Sequence, residues 1–151
     1  MSVKNIVLVH GGFVDGSGWE PVYKILKKDG YSVRIVQNPT LSLADDVAVT
    51  RRAIAAEDGP VILVGHSGGG AIIHGVADAR PDRIARAIYV DSGPLGEGGV
   101  INDELPDDGD GIPLPPWEAF EDEDLVDLTD ELEKRIGEAQ TRQERQIGIR
   151  N

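Results

Sequence analysis

The sequence predicts an α/β protein in which a parallel β-sheet lies between two layers of helices. Four short segments rich in Val and Ile occur within residues 3–90, and the first of them contains the continuous run IVLV, which is typical of a strand buried on both faces. Segments with apolar residues at helical spacing separate the runs, and glycine or proline marks the junctions. The order βαβαβαβ implies parallel strands joined by right-handed crossovers.

The first strand and the first helix are predicted within residues 3–30. Residues 3–10 contain the run IVLV and stop before two glycines. Residues 19–28 have apolar side chains at helical spacing, and Gly30 follows where a helix commonly ends in a left-handed conformation. The chain therefore opens with a strand, a glycine-containing loop and a helix.

The same alternation continues up to residue 90. Residues 31–36 predict the second strand, and Ser42 can cap the following helix, with Asp45 in the place of a capping-box acid. We expect this helix to bury the stripe Leu43, Val47, Thr50 and Ile54. The remaining elements are a third strand at 61–64, a helix at 69–80 and a fourth strand at 84–90. Functional residues are expected just after the strands, because an open parallel sheet forms its binding crevice at their carboxyl ends.

The net charge of −12 is unevenly distributed over the 151 residues. Residues 97–133 hold 15 acidic side chains and no Lys or Arg, whereas residues 1–96 balance to zero. Repulsion from the acidic stretch argues against binding to nucleic acid or to anionic membranes. We interpret it as a solvated surface rather than a partner-binding patch. Neither a signal peptide nor a bilayer-spanning apolar run is evident, so we expect a soluble, cytoplasmic protein.

The composition changes after residue 95, which divides the chain into two predicted parts. Gly, Pro and Asp dominate up to residue 116, and residues 117–146 show only weak helical spacing. We predict an incomplete α/β core in residues 1–95 and an acidic lid or cap segment in residues 96–151. The lack of cysteine excludes disulfides, thiolate metal sites and cysteine nucleophiles.

Residues 65–69, with the sequence GHSGG, carry the strongest chemical signal. They match G-x-S-x-G in the context that this motif requires, between a predicted strand and a predicted helix. Glycines flank the serine because the turn is crowded, and the helix N-terminus favours negative charge on the exposed hydroxyl. We therefore predict Ser67 as a catalytic nucleophile, in preference to a phosphate-binding or purely structural glycine turn.

A second glycine motif, HGGF at residues 10–13, follows the first strand. A tetrahedral intermediate needs two donors aimed at its oxyanion, and rigid backbone N–H groups serve this purpose well. We predict that Gly68 supplies one donor and Gly12 the other, with Phe13 lining the substrate pocket. Alone, the two glycines of this loop would indicate only a tight turn, but paired with the serine turn they favour an oxyanion hole.

The two motifs, together with residues 37–47 and 59–67, resemble the α/β-hydrolase superfamily. Over residues 3–95 the chain is most similar to small cofactor-free esterases related to plant methyl-salicylate esterases and hydroxynitrile lyases. The resemblance implies the N-terminal half of that fold, with strand order 2-1-3-4 and the start of a lid insertion. It also implies no cofactor, no metal and a small-molecule ester substrate, which acylates Ser67 before water hydrolyses the acyl group. Gly68 departs from the family, where a larger residue often shapes the acyl pocket, and this leaves the substrate size open.

The sequence offers no histidine suited to act as the base for Ser67. His66 is its neighbour on the turn, and His74 lies seven residues further along the helix, about 10 Å away at 1.5 Å per residue. The resemblance implies that His10 supports the oxyanion loop and that the base follows a later strand than any in this chain. We therefore expect a C-terminally truncated hydrolase that is a very poor enzyme without its base.

Two roles and two alternative functions stay open at this point. Asp91 ends the fourth strand, where some branches of the superfamily place the catalytic acid, but it could equally cap the following turn. Phe13, Trp19 and Trp117 suggest a pocket for a small apolar or aromatic acyl group. The alternative functions are non-catalytic binding of a small molecule, and hydroxynitrile-lyase or cofactor-free peroxidase chemistry on the same fold. Dinucleotide binding is excluded because no G-x-G-x-x-G follows the first strand.

Overall fold

The computed structural model describes residues 2–100, 112–116, 134 and 138. Its strands are β1 (Asn5–Val9), β2 (Ser32–Val36), β3 (Val61–His66) and β4 (Ile84–Val90). Its helices are α1 (Glu20–Lys28), α2 (Leu43–Ala55) and α3 (Gly68–Ala79), with short 3-10 helices at Gly16–Trp19 and Pro81–Arg83. The predicted order βαβαβαβ is confirmed. Most of the predicted lid at 96–151, including Trp117, lies outside the described residues, so the boundary at residue 95 stays a prediction.

The four strands form one parallel sheet in the order β2-β1-β3-β4, which confirms the predicted strand order. Val9 at the end of β1 pairs with Val36 of β2 and with Gly65 of β3, and His66 pairs with Val90 of β4. The ends of all four strands therefore lie along one side of the sheet, which we call the carboxyl edge. This edge carries the loops after β1, β2 and β4 and the turn between β3 and α3.

The helices cover both faces of the sheet. The chain passes from β1 to β2 on one side and then back across to β3 and β4, so right-handed crossovers put α1 on one face and α2 and α3 on the other. The main core lies under α2 and α3, where Val7, Ile54, Leu63 and Ile73 are fully buried. Burying each such side chain contributes about 1.5–3 kcal/mol. By contrast α1 contains no fully buried residue, and Ile25 is 61% exposed.

Helix α2 begins as the sequence predicts but does not bury the whole predicted stripe. The Ser42 hydroxyl accepts a hydrogen bond from the Asp45 N–H at 3.1 Å and so caps the helix. Ile54 is buried as expected, whereas Leu43 is 55% exposed, so its assignment to the inner face was wrong. Asp46 takes the buried position in the first turn, because its carboxylate accepts a backbone hydrogen bond from the loop after β2.

Neither a membrane-spanning helix nor a cluster of metal ligands occurs in the described ranges. None of the helices there combines the length and the apolar character that crossing a bilayer would require. Over the same residues, no group of three or more His, Cys, Asp or Glu side chains is arranged to hold a metal ion.

Candidate active site

Four residues with positive φ lie along the carboxyl edge. Phe13, Thr40, Ser67 and Asp91 follow β1, β2, β3 and β4 in turn, with φ of 64°, 55°, 50° and 46°. Residues other than glycine rarely adopt such angles, which cost about 1–3 kcal/mol each and concentrate at functional sites. The backbone strain therefore marks the edge at which an open parallel sheet forms its binding crevice.

Ser67 occupies a sharp turn between β3 and α3, with φ of 50° and ψ of −123°. Its N–H donates to the Val90 carbonyl at 3.1 Å, and its carbonyl accepts from the Gly70 N–H at 2.8 Å. A Cβ on Gly65 would lie 2.4 Å from the Gly69 carbonyl oxygen, and a Cβ on Gly69 would lie 2.5 Å from a carbonyl oxygen of β1. Because α3 packs so closely on β3 and β1, the turn requires glycine at both positions.

The loop after β1 lies directly against this turn. A Cβ on Gly11 would be 2.8 Å from the His66 carbonyl oxygen, 2.9 Å from the Ser67 Cβ and 3.1 Å from the Gly68 nitrogen. The two predicted motifs are thus in backbone contact. Gly12 comes next along the loop, is exposed, and has open space where a side chain would lie. The roles of Gly12 and Gly68 as oxyanion donors stay predictions, now with their two segments side by side.

His10 supports this loop from below and is only 1% exposed. Its Nδ1 lies 2.8 Å from the Gly11 carbonyl oxygen, and its Nε2 lies 3.0 Å from the backbone nitrogen of Asn38. A carbonyl only accepts and a backbone N–H only donates, so Nδ1 carries the proton and Nε2 is the acceptor. Burial also lowers the pKa of His10. The ring is therefore neutral with both nitrogens engaged, which suits it to hold the Gly11 carbonyl and not to act as the base for Ser67.

Sequence reasoning missed two residues here, Asn38 in the loop after β2 and Asp46 in the first turn of α2. Asn38 is 1% exposed, and its side-chain amide donates to the His10 carbonyl oxygen at 2.9 Å. Asp46 accepts a hydrogen bond from the Thr40 N–H at 2.9 Å, and burial raises the pKa of Asp46. A polar residue two positions after the predicted second strand was the available signal for Asn38. Asn38 thus ties the loop after β2 to the loop that carries Gly11 and Gly12, and Asp46 ties the strained residue Thr40 to the start of α2.

The other two histidines contact residues other than Ser67. The ring of His66 meets Trp19 edge-on with the ring centroids 6.5 Å apart, which puts Trp19 beside the residue that precedes the serine. His74 is exposed, and its Nδ1 lies 3.2 Å from the Tyr89 hydroxyl. Within the described residues, none of the histidine contacts reaches the Ser67 hydroxyl.

The turn after β4 contains Asp91 and a further polar residue, Ser92. Asp91 is exposed, and its φ of 46° is one that Asp tolerates better than most residues. This backbone fits the turn-forming role that the sequence left open, while a role of Asp91 as catalytic acid stays a prediction. The Ser92 hydroxyl, which sequence reasoning also missed, donates to the Ser67 carbonyl oxygen at 2.7 Å.

Comparison with characterised sequences identifies relatives that hydrolyse small molecules. A pyrethroid hydrolase from Sphingobium wenxiniae is 34% identical over 101 residues, which cover 60% of this chain and 36% of that protein. A carbendazim hydrolyzing esterase from a Nocardioides species is 32% identical over 100 residues, which cover 58% of this chain and 41% of that protein. This chain thus spans less than half of the length of either relative.

Comparison with solved structures identifies the same fold. A pyrethroid hydrolase from Sphingobium faniae superposes with a TM-score of 0.53 at 29% identity, covering 58% of this chain and 39% of that chain. An extracellular α/β-hydrolase from a Paenibacillus species, described as sharing homology with tobacco salicylic acid binding protein 2, superposes with a TM-score of 0.52 at 28% identity, covering 56% and 39%. A family model described as the alpha/beta hydrolase family matches residues 6–147. Because that match extends over most of the sequence, the resemblance is confirmed and this chain belongs to the α/β hydrolase family.

Proposed function

We propose that this chain carries the nucleophile and the oxyanion hole of a serine carboxylic-ester hydrolase. The observation that carries the proposal is the strained turn at Ser67, at the N-terminus of α3 and in contact with the Gly11 backbone. That arrangement puts a half-buried serine beside two glycine segments able to donate backbone hydrogen bonds. Membership of the α/β hydrolase family and the esterase and hydrolase relatives support the same reading.

In this mechanism the Ser67 Oγ attacks the carbonyl carbon of an ester, and its proton passes to a base. The N–H groups of Gly12 and Gly68 stabilise the oxyanion of the tetrahedral intermediate, and loss of one such donor typically costs about 10²–10³ in turnover. The base returns its proton to the leaving oxygen, which departs as the alcohol. Water then attacks the acyl-serine, gives its proton to the base, and releases the carboxylic acid and free Ser67. The partial positive charge at the N-terminus of α3 stabilises negative charge at this site by about 0.3–1 kcal/mol.

The base for this reaction is not one of the histidines described above. Both ring nitrogens of His10 are engaged in the oxyanion loop, and His66 and His74 contact Trp19 and Tyr89. Loss of the histidine of a serine triad costs on the order of 10⁶ in turnover, although binding and the oxyanion hole retain some acceleration. We therefore propose that this chain alone is a slow esterase whose rate is limited by the missing proton acceptor.

The proposed substrate is a small ester with an apolar or aromatic acyl group, bound without a cofactor. Phe13 is half-buried in the loop after β1, and Trp19 packs on His66 beside the serine turn, so both aromatic residues are candidates for the acyl pocket. Apolar walls with a few polar groups are typical of small-molecule sites. Two of the relatives are named as a pyrethroid hydrolase and a carbendazim hydrolyzing esterase, which supports a small-molecule ester as the substrate.

The test is covalent labelling with a fluorophosphonate, followed by intact mass, with and without added imidazole as an external base. We expect one adduct per chain, formed faster with imidazole, in the wild type and in Ser32→Ala, which removes an exposed serine at the start of β2. Ser67→Ala should give no adduct under either condition. An adduct that persists in Ser67→Ala, or a folded wild type that stays unlabelled with imidazole, would refute the proposal.

A second candidate function is binding of a small molecule without turnover. It is favoured by one observation, namely that the described histidine contacts all lie away from the Ser67 hydroxyl. This alternative predicts that a slowly hydrolysed aromatic ester binds the wild type and Ser67→Ala with equal affinity by calorimetry. Imidazole would then produce no Ser67-dependent release of the alcohol.

A further inference from the structure

Ser92 contacts the nucleophile turn from the loop after β4, outside the recognised motifs. Its hydroxyl donates to the Ser67 carbonyl oxygen at 2.7 Å, and the same oxygen accepts from the Gly70 N–H at 2.8 Å. Two residues earlier, the Val90 carbonyl accepts the hydrogen bond of the Ser67 N–H at 3.1 Å. Both backbone polar groups of Ser67 are therefore held by the end of β4.

Gly70 provides an independent sign that this contact is built into the fold. A Cβ at position 70 would lie 2.0 Å from the Ser92 Oγ and 2.9 Å from the Ser92 Cβ, so any side chain there would displace Ser92. Glycine inside a helix is less favourable than alanine, and position 70 lies within α3 but outside G-x-S-x-G. The close approach of Ser92 accounts for this otherwise unfavourable residue.

The conformation of Asp91 completes the arrangement. Its positive φ of 46° turns the chain directly after β4, so that the carbonyl of Val90 and the hydroxyl of Ser92 reach the two sides of one residue, Ser67. The strained backbone of Asp91 thus has a structural purpose that does not depend on its carboxylate.

The Ser67 carbonyl matters because it belongs to the same peptide group as the Gly68 N–H. A trans peptide is planar with its C=O and N–H pointing in opposite directions, so the direction of the carbonyl fixes the direction of the N–H. We propose that Ser92 is a positioning residue, whose hydroxyl holds the Ser67 carbonyl and thereby aims the Gly68 N–H at the oxyanion. This proposal rests on the function proposed above, since it assigns the support of one predicted oxyanion donor.

The test compares Ser92→Ala with the conservative variant Ser92→Thr, which retains a hydroxyl. In fluorophosphonate labelling with imidazole, Ser92→Ala should lower the maximal labelling rate about 10- to 100-fold, somewhat less than full loss of an oxyanion donor, with little change in the probe concentration at half-maximal rate. Ser92→Thr should restore most of the rate. Gly70→Ala should reproduce the loss, because its Cβ displaces the same hydroxyl.

An NMR measurement tests the positioning itself without any reaction. The Gly68 amide resonance and the Ser67 carbonyl carbon should shift in Ser92→Ala and return toward the wild-type positions in Ser92→Thr. If the resonances do not change, or if Ser92→Ala is labelled at the wild-type rate, the proposed role of Ser92 is wrong. Ser67-dependent labelling in the same experiment would still support the proposed function. If the wild type shows no Ser67-dependent labelling but the two resonances still shift in Ser92→Ala, the peptide contact is upheld and the oxyanion role is refuted.

Discussion

Replacing Gly69 with alanine tests the close packing of α3 against β1 on which the serine turn depends. The added Cβ would lie 2.5 Å from the Val9 carbonyl oxygen and 3.0 Å from that of His10, whereas ordinary contact begins at 3.4 Å. Both obstacles are backbone atoms of a fully buried strand end, so neither can rotate away as a side chain would. The helix must therefore move by most of an ångström, which strains every contact between α3 and the sheet.

The expected magnitude follows from two opposing effects. Overpacking a well-packed core costs about 1–3 kcal/mol, while replacing a helical glycine by alanine gains about 0.5–1 kcal/mol. Because the obstacle is rigid, we expect overpacking to dominate and Gly69→Ala to lower the free energy of unfolding by about 1–2 kcal/mol. The displaced turn should also reduce the rate of Ser67 labelling.

Gly75 offers a matched control on the same helix. A Cβ there would meet only the Val47 Cγ2 at 3.1 Å, the tip of a side chain that can adjust, so Gly75→Ala should be neutral or stabilising by up to about 1 kcal/mol. Urea denaturation followed by circular dichroism gives both free energies of unfolding. If Gly69→Ala proves as stable as Gly75→Ala, the close contact between α3 and β1 does not limit substitution and the reasoning fails.

Three further predictions concern His10, Arg83 and Ser67. Burial lowers the pKa of His10 in the folded state below its ordinary value of 6.5, so as the pH falls the unfolded chain binds the proton first. The contribution of His10 to stability should therefore be complete above pH 6.5 and fall below that pH by up to about 1.4 kcal/mol per pH unit. Denaturation at several pH values should show this slope in the wild type and not in His10→Gln. Arg83 donates to three backbone carbonyls at and beyond the end of α2, at 2.7 to 3.1 Å. Arg83→Ala should cost about 1–3 kcal/mol of stability, whereas Arg80→Ala, which removes an exposed ion pair, should change stability far less; equal losses would contradict this account. Ser67→Gly should have a free energy of unfolding about 1 kcal/mol higher than Ser67→Ala, since only glycine relieves a positive φ. At Ser32 in β2 the alanine variant should instead be the more stable of the two. The same order at both positions would show that Ser67 is not strained.

The strands and the serine turn could be predicted because local sequence determines them. A strand buried on both faces needs a continuous apolar run, and residues 6–9 of β1 supply it and are all buried. The turn at Ser67 needs flanking glycines wherever the motif occurs, and its contacts with β1 and β3 explain why. In both cases the constraint falls on neighbouring residues of one short segment, so it leaves a pattern that can be recognised.

The supporting contacts could not be predicted because they join residues distant in sequence. Asn38 meets His10 across 28 positions, and Ser92 meets Ser67 across 25, so both contacts depend on the strand register. The burial of Asp46 in place of Leu43 likewise depends on where α2 meets the loop after β2. Helical spacing identifies the apolar face of a helix. Which residues of that face are buried depends on the segment that packs against each turn of the helix.

Positive φ angles occur at both edges of the sheet, but they fall on different types of residue. Before β2 and β3 the chain adopts positive φ at Gly30 and Gly59, where glycine carries no strain. At the carboxyl edge the positive angles fall instead on Phe13, Thr40, Ser67 and Asp91. Glycine would relieve the backbone strain at those positions but would remove an aromatic ring, two hydroxyls and a carboxylate. At Ser67 the retained side chain is the proposed nucleophile, which explains why glycine is not used there, whereas at Asp91 the positive φ serves the turn that brings Val90 and Ser92 to Ser67.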